Sequence, residues 1–283
     1  RLVNSETVAK MKAAGIKRIS LSIDGSAKET HDKFRGMDGS FDDVIKAAKI
    51  AKESGMPFQI NTTVTKSNVD ELPEILKLAI ELGAISFHPF LLVPTGRGKD
   101  LTGLELTPEE YENTLTKIDN MSSAAGIHVK PTCAPHYFRI KKVRGVIPAK
   151  AGIHGSPIKT FGDDKLVKGH PHNLDSETRG CLGGTGFAFI SHTGEVQICG
   201  FLDVKCGDIR KSNYNFKNIW YTSEVFQKMR TPTAYKGKCG ICEYHGICGG
   251  CRARAYAITG DYMKPEPYCI YIPPKKKVVI PAK

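Results

Sequence analysis

Seven cysteines in the last third of the chain carry its most specific chemical signal: Cys181, Cys199, Cys239, Cys242, Cys248, Cys251 and Cys269. The middle of the set reads C-x2-C-x5-C-x2-C, and Gly194 gives the first pair a C-x12-G-x4-C form. Thiolate sulfur is the preferred ligand of iron in clusters, and a C-x2-C loop delivers two sulfurs from one turn of backbone. Seven thiols exceed the four ligands of one tetrahedral site, so two metal centres are the natural reading. A zinc ribbon, C-x2-C…C-x2-C, uses four of them and leaves the others without work. A disulfide framework belongs to small secreted domains. This chain has 283 residues, an odd nine cysteines and no signal-like apolar start.

The elements that must position such groups follow from periodicity. Residues 5–14 have a helical pattern stopped by Gly15, and 18–23 (RISLSI) form a strand ending at Asp24-Gly25. Helix 41–54, strand 58–64, helix 69–82 and strand 84–92 follow. Helix 108–125 has Thr107 as N-cap and Glu110 at the capping-box position, and a further strand begins at 127–130. Strands alternating with helices of this length imply an α/β fold with parallel strands and right-handed crossovers. Residues 136–180 are rich in Gly, Pro, His and Lys and read mostly as loop. Within them, Val146–Lys150 (VIPAK) recurs at Val279–Lys283, as two copies of a repetitive element would. His154, His170 and His172 read as solvated loop histidines, and Cys133 as a core or strand thiol.

Composition sets the outer bounds. The chain is long enough for one large domain or two smaller ones, and 40% hydrophobic with 25% charged residues is ordinary for a globular protein. No apolar run reaches 18 residues, so no membrane span is expected. The net charge of +12 suits a polyanionic partner: nucleic acid, an anionic membrane surface or a multiply carboxylated substrate. Part of the excess is the Lys275-Lys276-Lys277 tail.

The cysteine pattern resembles the SPASM domain of radical S-adenosylmethionine (SAM) enzymes, with a last gap of two residues where the common pattern has three. The resemblance implies two auxiliary [4Fe–4S] clusters. Cys239, Cys242, Cys248 and Cys269 would hold the outer one, and Cys181, Cys199 and Cys251 the inner one. Cys206 is a candidate fourth inner ligand, the alternative being an iron left open to substrate or water. Upstream, Ser20–Gly36, Asn61–Leu72 and Phe90–Leu101 are similar to the fourth, fifth and sixth units of a radical SAM partial (β/α) barrel. The implied architecture is the C-terminal half of that barrel at 1–135, a bridging segment at 136–180, a SPASM domain at 181–270 and a basic tail at 271–283. Parallel strands present functional groups at their C-terminal ends, so Ser22, Asp24, Asn61 and Thr63, with Arg35, are the expected SAM contacts. The resemblance also implies a third cluster on a C-x3-C-x2-C loop. No such loop exists in this sequence, whose first cysteine is Cys133. The expectation is an N-terminally truncated polypeptide that is inactive alone.

The segments Gly186–Phe201, Tyr235–Met263 and Glu266–Cys269 are similar to the tetrapyrrole branch of these enzymes: heme synthases and didecarboxysiroheme deacetylases of the siroheme-dependent pathway, and heme d1 homologues. The implied chemistry is hydrogen abstraction from a porphyrin side chain by a 5′-deoxyadenosyl radical, then loss of the side-chain carbon group. The implied partners are an anionic iron porphyrinoid and a reductant such as ferredoxin or flavodoxin, in the cytoplasm, with no nucleic acid. Arg97, Lys99, Arg252 and Arg254, with Arg139, are the expected clamps for its carboxylates. No catalytic side chain is assigned. Two other classes share the grammar: a peptide- or sulfatase-modifying SPASM enzyme, and a non-catalytic electron-transfer module.

Overall fold

A computed structural model of the chain describes residues 3–145 and 180–274. These form two compact units, one of residues 3–92 and 97–137, the other of 93–96, 138–145 and 180–274. Both VIPAK copies, His154, His170, His172 and the three-lysine run lie outside the described residues.

The first unit is built on a parallel sheet in the order β1 (Ile19–Ser22), β2 (Phe58–Val64), β3 (Ser86–Leu91), β4 (His128–Val129). Helix α1 (Ser5–Ala13) precedes it, with Asn4 capping the Thr7 amide. Helices α3 (Ser40–Glu53) and α4 (Leu72–Leu82) pack on the sheet. They bury Ala47, Ala48 and Ala51 from α3, and Ile75, Leu76 and Ala79 from α4, against Ile23, Phe58, Ile60 and Phe87. Helix α5 (Pro108–Ala124) opens with the expected capping box: the Glu110 amide donates to the Thr107 hydroxyl, and the Glu110 carboxylate accepts the Thr107 amide.

Three differences from the sequence reading have physical causes. Residues 69–71 form a separate 3-10 turn before α4, whose first turn, from Leu72, contains Pro73. Helix α2 (Lys28–Arg35) occupies what reads as a loop. It has no apolar stripe, because the two residues it buries, His31 and Asp32, are polar. Helix α6 (His136–Val143) occupies the start of the segment read as loop, and it buries Tyr137, Phe138, Arg139 and Ile140.

The second unit contains a three-stranded antiparallel sheet of β5 (Phe189–Ile190), β6 (Glu195–Cys199) and β7 (Leu202–Asp208). Gly194 turns the chain between β5 and β6, so the noted glycine spacing delivers Cys199 at the end of a strand. Helices α7 (Phe216–Thr222), α8 (Glu224–Met229) and α10 (Arg252–Thr259) pack on β7, with Ile219, Trp220 and Phe226 buried. The short helix α9 (Lys238–Ile241) carries Cys239.

Candidate functional site

In the first unit, parallel register sets polar side chains in rows on one sheet face. Ser22 pairs with Asn61 and Asn61 with His88, while Ser20, Gln59, Ser86 and His128 form the next row. The Gln59 amide donates to Asn61 Oδ1 at 2.8 Å, and the His88 and His128 rings meet edge-on at 6.0 Å. Thr63 shares the face two residues beyond Asn61. Ser22, Asn61 and Thr63 are expected from the sequence; Gln59, His88 and His128 share their sheet face and are not. The same two-residue period, continued through β3, reaches His88.

Asp24 and Arg35 do different work. Asp24 is fully buried just past β1. Its Oδ1 accepts the Thr63 amide at 2.7 Å, its Oδ2 lies 2.6 Å from Arg35, and its own amide donates to His31 Nδ1 at 3.0 Å. The Asn68 amide group donates to the Asp24 and Thr63 carbonyls at 2.9 and 2.8 Å. Burial pushes the Asp24 carboxyl above its usual range, against the opposing pull of Arg35 and the Thr63 amide. The carboxylate ties the end of β1 to β2 through the Thr63 amide and to the end of α2 through Arg35. Gly25 is required next to them, because a Cβ there would lie 2.6 Å from the His31 nitrogen.

In the second unit the thiols fall into two neighbourhoods. Cys242 and Cys248 each sit in the electrostatic field of Cys239 and Cys269. Cys199 and Cys251 each sit in the field of Cys181. Burial raises the thiols of Cys199, Cys242, Cys248 and Cys269, and pushes Cys251 up to about 12. A thiolate in such surroundings requires a compensating cation. Amides already point at several sulfurs: Tyr244 at Cys242 (3.4 Å), Gly250 at Cys248 (3.4 Å) and Glu266 at Cys239 (3.3 Å). Such N–H···S bonds are what iron–sulfur ligation uses to tune a cluster. Gly249 and Gly250 both have positive φ, which lets the shortened two-residue gap turn back. A small hollow, partly open to solvent, is lined by Cys181, Cys248, Gly249, Gly250 and Arg252 among others. Among the described residues no three His, Cys, Asp or Glu side chains converge as a single-ion site. Seven thiols in two neighbourhoods match the donors of two polynuclear clusters better than those of a lone zinc.

The other expected site residues differ in burial. Cys206 lies on β7, bonded to Ser223 and 3.7 Å from the Val204 carbonyl, with its thiol raised by burial to about 11. Cys133 hangs between α5 and α6 with a positive φ, its carbonyl accepting the Tyr111 hydroxyl. Arg252 and Arg254, expected as substrate clamps, are only 2% and 0% exposed. Arg252 donates to the carbonyls of Tyr262 and Lys264 and lies 3.5 Å from Cys239 Sγ, and Arg254 pairs with Glu266 at 3.4 Å. Both guanidiniums are therefore committed inside the domain and do not present a carboxylate clamp. Arg139 is likewise buried, 5.1 Å from the Tyr271 ring and in the field of Cys248 and Cys269. Lys99 is exposed on the 3-10 stretch Gly96–Leu104, and the Arg97 side chain lies outside those described.

Comparison with known proteins agrees with both units. Residues 1–79 match the radical SAM superfamily, and residues 181–252 match SPASM, an iron–sulfur cluster-binding domain. The chain is 48% identical over 275 residues to an AdoMet-dependent heme synthase of Methanosarcina barkeri, covering 97% of this chain and 73% of that protein. It is 45% identical to an AdoMet-dependent heme synthase of Oleidesulfovibrio alaskensis, covering 97% and 66% respectively. The solved structure of Streptococcus suis SuiB bound to S-adenosylmethionine superposes with a TM-score of 0.63 at 17% identity, covering 96% of this chain and 58% of SuiB. That likeness concerns the fold.

Proposed function

This chain belongs to the radical SAM enzymes with a SPASM domain, in the family that includes the AdoMet-dependent heme synthases, and from that premise we propose that it serves the oxidative decarboxylation of two propionate side chains of Fe-coproporphyrin. The observation that carries this reading is the 48% identity to a heme synthase across nearly the whole chain. When bound, the iron–sulfur and SAM cofactors of this family supply the electron and the hydrogen-abstracting radical.

The chain's own residues would act around them. Ser22, Asn61 and Thr63 offer hydroxyl and amide groups on one sheet face, suited to the ribose and amino-acid parts of SAM. Asp24 holds that face in register by joining the ends of β1 and β2, and Arg35 anchors it from the end of α2. Cys239, Cys242, Cys248 and Cys269 would hold the outer auxiliary [4Fe–4S] cluster, and Cys181, Cys199 and Cys251 the inner one. Cys206, bound to Ser223, stands apart from that set in this proposal. Lys99, and Arg97 beside it, would meet substrate carboxylates. The electrons would come from a ferredoxin or flavodoxin. Among the described residues no helix is long and apolar enough to cross a membrane.

The test is a Soret titration of the anaerobically reconstituted chain with Fe-coproporphyrin and, in parallel, with didecarboxysiroheme. Tighter binding of Fe-coproporphyrin, weakened by salt because exposed charge pairs are screened, supports the reading. Lys99→Ala should reduce the affinity a few-fold, as expected for one exposed contact of about 1 kcal/mol or less. Preference for didecarboxysiroheme would move the assignment to deacetylation, and no Soret shift with either would defeat it.

A further inference from the structure

Glu266 is the buried acid with the most demanding position in the second unit. It is 0% exposed and lies between residues of both thiol neighbourhoods. Its backbone amide donates to Cys239 Sγ at 3.3 Å, and its carboxylate Oε2 accepts the Cys251 amide at 2.7 Å. The Tyr268 amide donates to the other oxygen at 3.3 Å. Arg254, also 0% exposed, approaches both carboxylate oxygens at 3.4 Å and lies 5.2 Å from the Tyr268 ring. This one residue thus touches a member of each proposed ligand set, and its charge is matched by a buried guanidinium.

Burying two opposite charges is costly, and hydrophobic replacement of such a pair is often neutral or stabilising. Stability alone is therefore a weak reason for this pair. Its place beside cluster ligands gives a stronger one, because charge and hydrogen bonding at the sulfurs set a cluster's reduction potential. We propose that Glu266 and Arg254 form a charge-neutral bridge between the two auxiliary cluster sites and hold the reduction potential of the cluster ligated by Cys251. Both act as positioning residues. The inference rests on the ligand assignment proposed above and is independent of the substrate.

The experiment compares reconstituted wild-type chain, Glu266→Gln and the double variant Glu266→Gln/Arg254→Gln by iron analysis and EPR-monitored redox titration. The glutamine introduced by Glu266→Gln keeps an oxygen for the Cys251 amide and leaves the amide bond to Cys239 untouched. It removes one negative charge beside Arg254, whose guanidinium cannot lose its proton. Reduction adds negative charge to the cluster, so loss of a buried anion close to a ligand favours it. The single variant should raise the potential by at least a tenfold change in the one-electron equilibrium constant, about 59 mV. The double variant should return it towards wild type. A purely structural role would leave the potential unmoved, or move it without reversal, and either result overturns the proposal. If the single variant fails to hold its iron, recovery of iron in the double variant supports charge matching and continued loss overturns it. A wild type with fewer than two clusters removes the ligand assignment together with this inference. Two clusters whose potentials ignore the substitution remove this inference alone.

Discussion

A cysteine advertises its chemistry by spacing, and an arginine does not. The C-x2-C pairs and the two-glycine turn are readable because ligand geometry restricts both residue type and separation. Arg252 and Arg254 are misread as clamps because a guanidinium suits any carboxylate, and the sequence does not distinguish a substrate's from that of Glu266, twelve residues from Arg254. Asp24 and Arg35 are each legible as a candidate SAM contact, but their mutual salt bridge at 2.6 Å is not. The thiols give the sharpest check at this scale. Cys251→Ser should lower iron from about eight per chain towards four, as expected for loss of one [4Fe–4S] cluster. Cys206→Ser should leave the iron content unchanged, since its thiol is held by Ser223. Equal loss in both variants would return Cys206 to the inner ligand set.

At the scale of the element, what is legible tracks how much apolar surface each segment buries. Helices α3 and α4 show their buried faces as hydrophobic stripes, and α5 announces its start through Thr107 and Glu110. Thr107→Ala should cost about 1 kcal/mol, a usual value for loss of an N-cap, measured by denaturant titration. Helix α2 gives no such signal, and its junction with α3 is made by the Lys28–Asp42 ion pair, the His31–Phe41 ring contact and, with the most bonds, one carboxylate. Asp32 accepts the amides of Gly39 and Phe41 at 2.7 Å each and the Ser40 hydroxyl at 2.8 Å. Burial acts to raise its pKa, but these donors prevail and hold it below the usual carboxylate range. A depressed folded-state pKa stabilises above the unfolded value, near pH 4, and that contribution disappears as pH falls through the folded one. The thermal midpoint of wild type should therefore drop more steeply below about pH 4 than that of Asp32→Asn, which should already be lower at pH 7. Parallel curves would exclude Asp32 as the cause.

At the scale of the whole molecule, the two units divide the chemistry between a parallel sheet with a polar face and a domain that is mostly ligand loops. The fold class is accessible from alternating strand and helix patterns. The second unit offers only short elements, and its order depends on side chains converging on the sulfurs, which periodicity does not register. This 283-residue polypeptide contains no C-x3-C-x2-C sequence. Incubated with SAM and dithionite, it should yield no 5′-deoxyadenosine above a protein-free control. Product formation would mean that another set of its ligands reduces SAM.

Strand β1 pairs with β2 alone among the described strands, and the pairing uses every second amide: Ile19 donates to Pro57 and Ile23 to Asn61. The amides of Ser20 and Ser22 face away from β2, so among the described strands β1 offers a row of backbone donors and acceptors able to recruit another extended chain. This makes the molecule's colloidal behaviour a consequence of strand order. Dynamic light scattering should show concentration-dependent growth of the wild-type protein. Ser20→Pro removes an outward donor without touching the ladder to β2, and it should suppress that growth at an unchanged thermal midpoint. Growth that persists in the proline variant would place the sticky surface elsewhere.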